Sequence, residues 1–225
     1  QSLGKKIAAV LTRMESPLGA KVGNFLEVEE SLAMLNCPEA LARVPNDRRS
    51  DDLFNVTIRL TAWMLVAGGI AGDVDEATQR CRAVIDDGSA WARMEENIRA
   101  QGGELDALYE RLGTFRAPVS TPITAEDSGV LAGIDAYTVG MGGVYLGAGR
   151  NTASDDVYPD VGFELQRKPG DTVSAGDVIM NVWGHTNEAV QQAVDTVRRG
   201  ITIGDPGASA GGGADDMILE ELSAL

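Results

Sequence analysis

The sequence predicts an α/β protein in two parts, a helical first part and a smaller α/β second part. Three observations support this prediction. A short apolar run at 7–12 and four consecutive helical patterns occupy the first half of the 225-residue chain. A connector rich in proline, serine and threonine follows at 117–129, and short β-type runs lie beyond it. We therefore place one domain at 1–115 and a second at 116–225.

The first part opens with a strand and a helix. The run "IAAVLT" at 7–12 is short, apolar and bounded by turn signals, so we expect a strand buried in a parallel sheet. Asn24 is a good N-cap residue, and Glu27 three positions later completes a variant of the capping box. A helix at about 25–36 would then bury one apolar stripe, which consists of Phe25, Val28, Leu32 and Leu35.

The start of this helix combines backbone flexibility with negative charge. A Pro-Leu-Gly turn and Gly23 precede Glu27, Glu29 and Glu30. Acidic residues near a helix N-terminus stabilise it by roughly 0.3–1 kcal/mol, which explains Glu27 well and Glu30 only weakly. Two explanations therefore remain open at this point, helix capping and a site for an ion or a phosphate.

The remaining elements follow from periodicity and from glycine stop signals. Four helical patterns form a helical layer that extends to about residue 112; they lie at 50–69, 73–88, 89–103 and 104–113. The second part contains β-type runs at 129–134, 161–168, 171–176 and 177–183, with helical patterns at 135–147 and 186–201. The segment at 215–222 is either a terminal strand or an acidic tail.

Composition excludes several classes of partner. The chain carries 34 Asp and Glu against 19 Lys and Arg, a formal net charge of −15, which disfavours nucleic acid and anionic membrane surfaces. It has no apolar run long enough for a transmembrane helix. Cys37 and Cys81 are too few for a disulfide framework. We expect a cytoplasmic protein with reduced thiols that binds neither nucleic acid nor membranes.

Three features suggest sites but have simpler explanations. The glycines of "GMGGVYLGAGR" at 140–150 lie within a helical pattern, so they indicate close packing rather than a dinucleotide fingerprint. His185 has no ligand or orienting partner at a recognisable spacing, so we expect a surface imidazole, and Asp160 is interpreted as solvated charge. The turns after Lys168 resemble a barrel-sandwich carrier domain, but no later lysine could hold a carrier cofactor.

Five motifs in order resemble the thymidine phosphorylase and pyrimidine-nucleoside phosphorylase family. The strongest is "AAVLTRMESPLGAKVGNFLEVEESLAML" at 8–35, in which the Pro-Leu-Gly turn and the Leu-Glu-Val run carry the match. The others are "IDDGSA" at 85–90, "RAQGG" at 99–103, "YLGAGR" at 145–150 and "VGFELQRKPGDTVSAGD" at 161–177. The resemblance implies a helical layer and a strand from the family's central α/β domain, followed by its smaller C-terminal α/β domain.

The resemblance also implies an activity and two sites. The activity is reversible phosphorolysis of thymidine to thymine and 2-deoxyribose 1-phosphate, a pentosyl transfer that needs no cofactor. A structural alkali or calcium-like cation would be held by the carbonyls of Leu18 and Lys21 and the carboxylate of Glu30. Gly147, Gly149 and Arg150 would belong to a loop that closes over the cleft as a lid.

The resemblance covers about half of a family member. The groups that hold phosphate and pyrimidine in the family precede the position of Gln1, so we expect no catalytic residue in this chain and no activity from it alone. Its partners would be thymidine, phosphate and the upstream half of the same enzyme, in a homo-oligomer. The alternative hypothesis is a non-catalytic, truncated module that binds or scaffolds a partner through the surface where that half would dock.

Overall fold

The structure, a computed structural model, describes residues 7–44, 48–150, 152–205 and 217–224. Its helices are α1 Asn24–Met34, α2 Pro38–Leu41, α3 Asp51–Ala67, α4 Val74–Asp86, α5 Ser89–Ala100, α6 Leu105–Arg111, α7 Ala136–Leu146 and α8 Asn187–Arg198, with a short 3-10 helix at Arg48–Ser50. Its strands are β1 Ile7–Thr12, β2 Lys21–Val22, β3 Val119–Thr124, β4 Gly129–Ile134, β5 Gly162–Leu165, β6 Thr172–Val173, β7 Val178–Gly184, β8 Ile201–Gly204 and β9 Ile218–Ala224. The predicted α/β class is confirmed.

Strand β1 differs from its prediction. Within the described residues it pairs antiparallel with β9, so the acidic tail contains a strand. One face of this pair lies on α3, where the indole N–H of Trp63 donates to Glu221, and the other exposes Ile7 at 53%. The expectation of a buried strand in a parallel sheet is wrong here, because an apolar run does not reveal whether one face or both faces of a strand are covered.

The helical layer agrees with the periodic patterns. Four predicted helices correspond to α3, α4, α5 and α6. The helices around α1 share one buried cluster, which consists of Leu32, Ala33, Cys37, Ala40, Val44, Trp91 and Leu112. Cys37 and Cys81 are buried free thiols, and burial raises the pKa of both. No helix in the described ranges combines the length and the apolar character needed to cross a bilayer.

The second part is built on two antiparallel sheets and two helices. One sheet has the strand order β2-β5-β7-β3, in which the edge strand β2 comes from the first part of the chain, and the other has the order β6-β4-β8. Both contribute to one core with α7 and α8, whose largest buried side chains include Phe163, Leu131 and Met180. Two details correct the sequence prediction. The connector at 117–129 contains strand β3, and the last helical pattern ends before β8.

The glycines of α7 have different surroundings. A Cβ atom at Gly142 would lie 2.9 Å from Cζ of Phe163 and 3.0 Å from Cγ2 of Val197. At Gly140, which is exposed, a Cβ atom would meet nothing within 4 Å. The close-packing interpretation is therefore confirmed for Gly142 and wrong for Gly140.

This contrast predicts opposite effects of the same substitution in one helix. Gly140→Ala should raise the free energy of unfolding by roughly 0.5–1 kcal/mol, because alanine loses less backbone entropy on folding. Gly142→Ala should lower it by about 1–3 kcal/mol, because the added methyl group overpacks the core. Urea unfolding followed by circular dichroism would measure both. Equal stability of the two variants would contradict the packing described here.

Candidate functional site

The Pro-Leu-Gly turn at 17–20 is held by side chains from distant elements. The backbone N–H of Gly19 donates to Oδ1 of Asp52 at 3.2 Å, and that of Ala20 donates to Oε1 of Glu30 at 2.6 Å. The hydroxyl of Ser50 donates to the same Glu30 oxygen. Both carboxylates are buried. The turn is therefore anchored to α1 and to the start of α3.

Glu30 lies directly under the turn. Gly19 has a φ of +73°, and a Cβ atom there would approach Oε2 of Glu30 to 2.7 Å, so the turn requires glycine at this position. Burial raises the pKa of Glu30, and the hydrogen bonds from Ser50 and Ala20 offset this only in part. This carboxylate therefore supports the turn rather than only capping the helix.

A lysine from the second part completes the turn. Nζ of Lys168 donates to the carbonyls of Pro17 at 2.8 Å and of Gly19 at 2.7 Å, and to Oδ2 of Asp52 at 2.7 Å. The side chain is 16% exposed. Lys168 follows β5, so this contact joins the two parts of the molecule.

A second ionic cluster lies on α1, the helix that contains Glu30. Glu29 is fully buried, and its two oxygens accept from the guanidinium of Arg116 at 3.0 and 2.6 Å. Nζ of Lys21 donates to it at 2.9 Å and the backbone N–H of Gly113 at 2.7 Å. Burial acts to raise the pKa of Glu29, but the hydrogen bonds from Arg116 and Lys21 outweigh burial and hold that pKa below its ordinary value.

The start of α1 corrects the capping prediction. The N-cap residue is Gly23, with a φ of +137°, and its N–H donates to Oε1 of Glu27 at 3.1 Å. Asn24 is the first helical residue, and its side chain instead donates to the carbonyl of Ala148 at 3.3 Å. Glu27 thus has the capping role that was predicted, while Asn24 contacts the loop after α7.

The buried face of α1 is partly ionic. Leu32 is buried as expected, but Val28 is 37% exposed. Glu29 and Glu30 share the buried face with Leu26. The prediction that Val28 lies in the buried stripe was therefore wrong. Carboxylates can take the place of apolar side chains on that face because each of them is hydrogen-bonded to other parts of the chain.

The residues of the predicted cation site lie together. Leu18, Lys21 and Glu30 line one cleft of about 390 Å³; its other lining residues are Pro17, Val22, Glu27, Ser31, Leu53, Ala136, Val139 and Gly140. Oε1 of Glu30 already accepts two hydrogen bonds, and Lys168 already places a positive charge on the same turn. Calcium takes about six to eight oxygen ligands. These residues fit such an ion poorly, and the cation stays a prediction.

A metal cluster of another kind is not found in the part of the chain that the structure describes. That part holds no group of three or more histidine, cysteine or carboxylate side chains arranged to bind a metal ion.

The predicted lid residues follow α7. Gly147, with a φ of +88°, ends the helix, and a Cβ atom there would lie 2.5 Å from the ring of Tyr158. Gly149 is half-buried and Arg150 is exposed. Ala148 between them contacts Asn24, so the loop lies beside the N-terminus of α1. Its role as a lid remains a prediction.

His185 has a partner that its sequence context did not reveal. Its Nε2 lies 3.0 Å from Oδ1 of Asp160, and its ring centroid lies 4.8 Å from that of Tyr158. The imidazole is 40% exposed, as expected of a surface residue, but the aspartate is 16% exposed and paired. The interpretation of Asp160 as solvated charge was wrong.

Comparisons with known proteins find similar sequences. Residues 130–204 match the pyrimidine nucleoside phosphorylase C-terminal domain. The chain is 34% identical over 207 residues to a thymidine phosphorylase of Burkholderia cenocepacia (strain HI2424) and 33% identical to one of Burkholderia orbicola (strain MC0-3). This chain is therefore similar to part of a thymidine phosphorylase, and the match at 130–204 is to a C-terminal domain. Each alignment covers 91% of the chain and 45% of the relative, so the chain spans about half the length of the curated relatives it matches.

Only part of this site was predicted from the sequence. Glu30 and the turn were identified, but Lys168 was weighed only as a carrier lysine, a role that was rejected, and Arg116 was assigned nothing. Asp52 was assigned no role either. A usable signal was present for Lys168, because it is the last lysine of an acidic chain and precedes a Pro-Gly turn.

Proposed function

We propose that this chain is the C-terminal part of a thymidine phosphorylase, a pentosyltransferase that cleaves thymidine with phosphate to thymine and 2-deoxyribose 1-phosphate. The observation that carries the proposal is the 34% identity to a thymidine phosphorylase across 91% of the chain. The matched C-terminal domain at 130–204 supports the same assignment.

The ionic contacts support a positioning role rather than a catalytic one for the site. Phosphorolysis needs cationic donors that are available to phosphate and to the departing pyrimidine. Lys21, Arg116 and Lys168 each lie within 2.9 Å of a buried carboxylate oxygen, so their charges are already engaged. The proposal therefore assigns substrate binding to the part of the relatives that this chain does not cover, and lid closure to residues 147–150.

A fusion experiment tests this assignment. The chain would be assayed for thymine release from thymidine with and without phosphate, alone and fused to the N-terminal part of the B. cenocepacia relative. We expect no turnover by the chain alone and phosphate-dependent turnover by the fusion. The N-terminal part without this chain is the control. Turnover by the chain alone would contradict the assignment of substrate binding, and a folded but inactive fusion would contradict the phosphorylase proposal.

One observation favours a second candidate, a non-catalytic module that assembles with further protein. The face of the β1–β9 pair that points away from α3 exposes Ile7 at 53% and Leu222 at 52%. Contiguous apolar surface of this kind is characteristic of interaction sites. A chain that sediments as a homo-oligomer, together with an inactive fusion, would favour this candidate.

A further inference from the structure

Lys168 is surrounded by oxygen atoms of the kind that bind metal cations. Its ammonium contacts two backbone carbonyls, of Pro17 and Gly19, and one carboxylate oxygen of Asp52, all within 2.8 Å. An ammonium group has three N–H donors, and each has one oxygen partner here. Carbonyl and carboxylate oxygens are also the ligands that calcium prefers. The ammonium thus occupies a small oxygen cage.

The backbone N–H groups of the 17–20 turn also have partners within the chain. The N–H groups of Gly19 and Ala20 donate to Asp52 and Glu30. Lys168 also acts electrostatically on Glu30, as does Lys21. The negative charges at the turn therefore have positive partners from within the chain, and a second cation beside Lys168 would meet electrostatic repulsion.

We propose that the Lys168 ammonium is a built-in cation for the 17–20 turn, and that the turn consequently takes no metal ion. This inference is independent of the proposed phosphorylase activity, because it concerns only contacts within the described residues. Unlike a diffusible ion, this cation is covalently part of the chain, and its hydrogen bonds connect the segment after β5 to the turn and to α3.

The proposal predicts how a lysine variant responds to cations. In Lys168→Met, Asp52 and the two carbonyls lose their positive partner, and we expect the melting temperature to fall by about 6 °C or more. Part of that loss should return on addition of potassium or calcium chloride, because the vacated oxygen atoms then accept a free ion. The wild-type melting temperature should change no more with these salts than with choline chloride at equal ionic strength.

Two further variants keep the test decisive. Arg167→Met is the matched control, because Arg167 is the neighbouring cation; its guanidinium lies 3.9 Å from Asp177 and donates to the carbonyl of the adjacent Gln166 at 3.0 Å, and it does not bond the turn. It should neither lose much stability nor gain a response to potassium or calcium. Lys168→Arg retains the charge and should also show no such response. It covers the case in which Lys168→Met does not fold.

Two results would overturn the proposal. One is a wild-type melting temperature that rises with potassium or calcium beyond the choline control, with heat of calcium binding in titration calorimetry that Glu30→Gln abolishes. That outcome would restore the cation site at Leu18, Lys21 and Glu30. The other is a Lys168→Met variant that is as stable as Arg167→Met, since the turn would then not depend on the ammonium.

Discussion

Arg116→Met is expected to lower the free energy of unfolding by about 3 kcal/mol. Removing one partner of a buried ion pair leaves the other charge uncompensated, which costs roughly 3–5 kcal/mol. Glu29 is fully buried and receives two hydrogen bonds from Arg116, so the variant meets this condition. Lys21 remains bonded to Glu29 at 2.9 Å, which places the expected loss at the lower end of the range.

The control for this prediction is an arginine whose partner is exposed. Arg93 pairs with Glu96, and their side chains are 82% and 62% exposed. Arg93→Met should cost less than about 1 kcal/mol, because water screens an exposed pair. Urea unfolding at neutral pH would measure both variants. Similar losses for Arg93→Met and Arg116→Met would mean that burial does not determine the strength of the Glu29 pair.

The pH dependence gives the same prediction a second readout. The pKa of Glu29 is below its ordinary value of 4.5, so the paired carboxylate stabilises the fold above that pH and the contribution is lost as pH falls through the lower folded value. Protonation of Glu29 removes the charge that Arg116 neutralises. The stability difference between wild type and Arg116→Met should therefore narrow in acid. The contribution of Glu30 to stability has the opposite pH dependence. Burial raises its pKa above the ordinary value, so its contribution is greatest in acid and is lost as pH rises through the folded pKa.

The elements that the sequence predicted well are those in which local pattern and packing agree. Helices α3, α4 and α5 have continuous periodicity and end at or near glycine, so their positions follow from the sequence. Strand β3 was missed because Pro122 and its Ser/Thr neighbours have the composition of a loop. It lies at the edge of its sheet, where a proline is tolerated because one side of the strand needs no ladder hydrogen bond.

The candidate site was less predictable because its contacts are remote in sequence. Lys168 meets Asp52 across 116 positions, and Arg116 meets Glu29 across 87. Periodicity describes which face of an element is buried, but it does not identify the partner on the other side. Hence Glu30 could be singled out on α1, whereas the role of Glu29 depended on an arginine from the segment that joins the two parts.

The flexibility before α1 has a structural cause at a crossing of two backbones. Gly162 in β5 has a φ of +145°, and a Cβ atom there would lie 2.1 Å from the carbonyl oxygen of Val22 and 2.8 Å from Cδ1 of Leu26. Gly23 faces it, and a Cβ atom at that position would lie 2.4 Å from the carbonyl oxygen of Val161. The two glycines thus let β2 and α1 approach β5 closely.

Gly162→Ala should accordingly lower the free energy of unfolding by roughly 3 kcal/mol or more, because it adds backbone strain to a steric clash. Gly133→Ala is the matched control in β4, where a Cβ atom would meet nothing within 4 Å, and it should be neutral or stabilising. Strand β2 contains Lys21, which donates to Glu29. A displacement of β2 in Gly162→Ala should therefore also weaken the Glu29 cluster. Unfolding of the Gly162→Ala/Arg116→Met double variant would measure this coupling. We expect it to lose less free energy of unfolding than the sum of the two single variants. Strict additivity would show that the backbone crossing and the Glu29 cluster are independent.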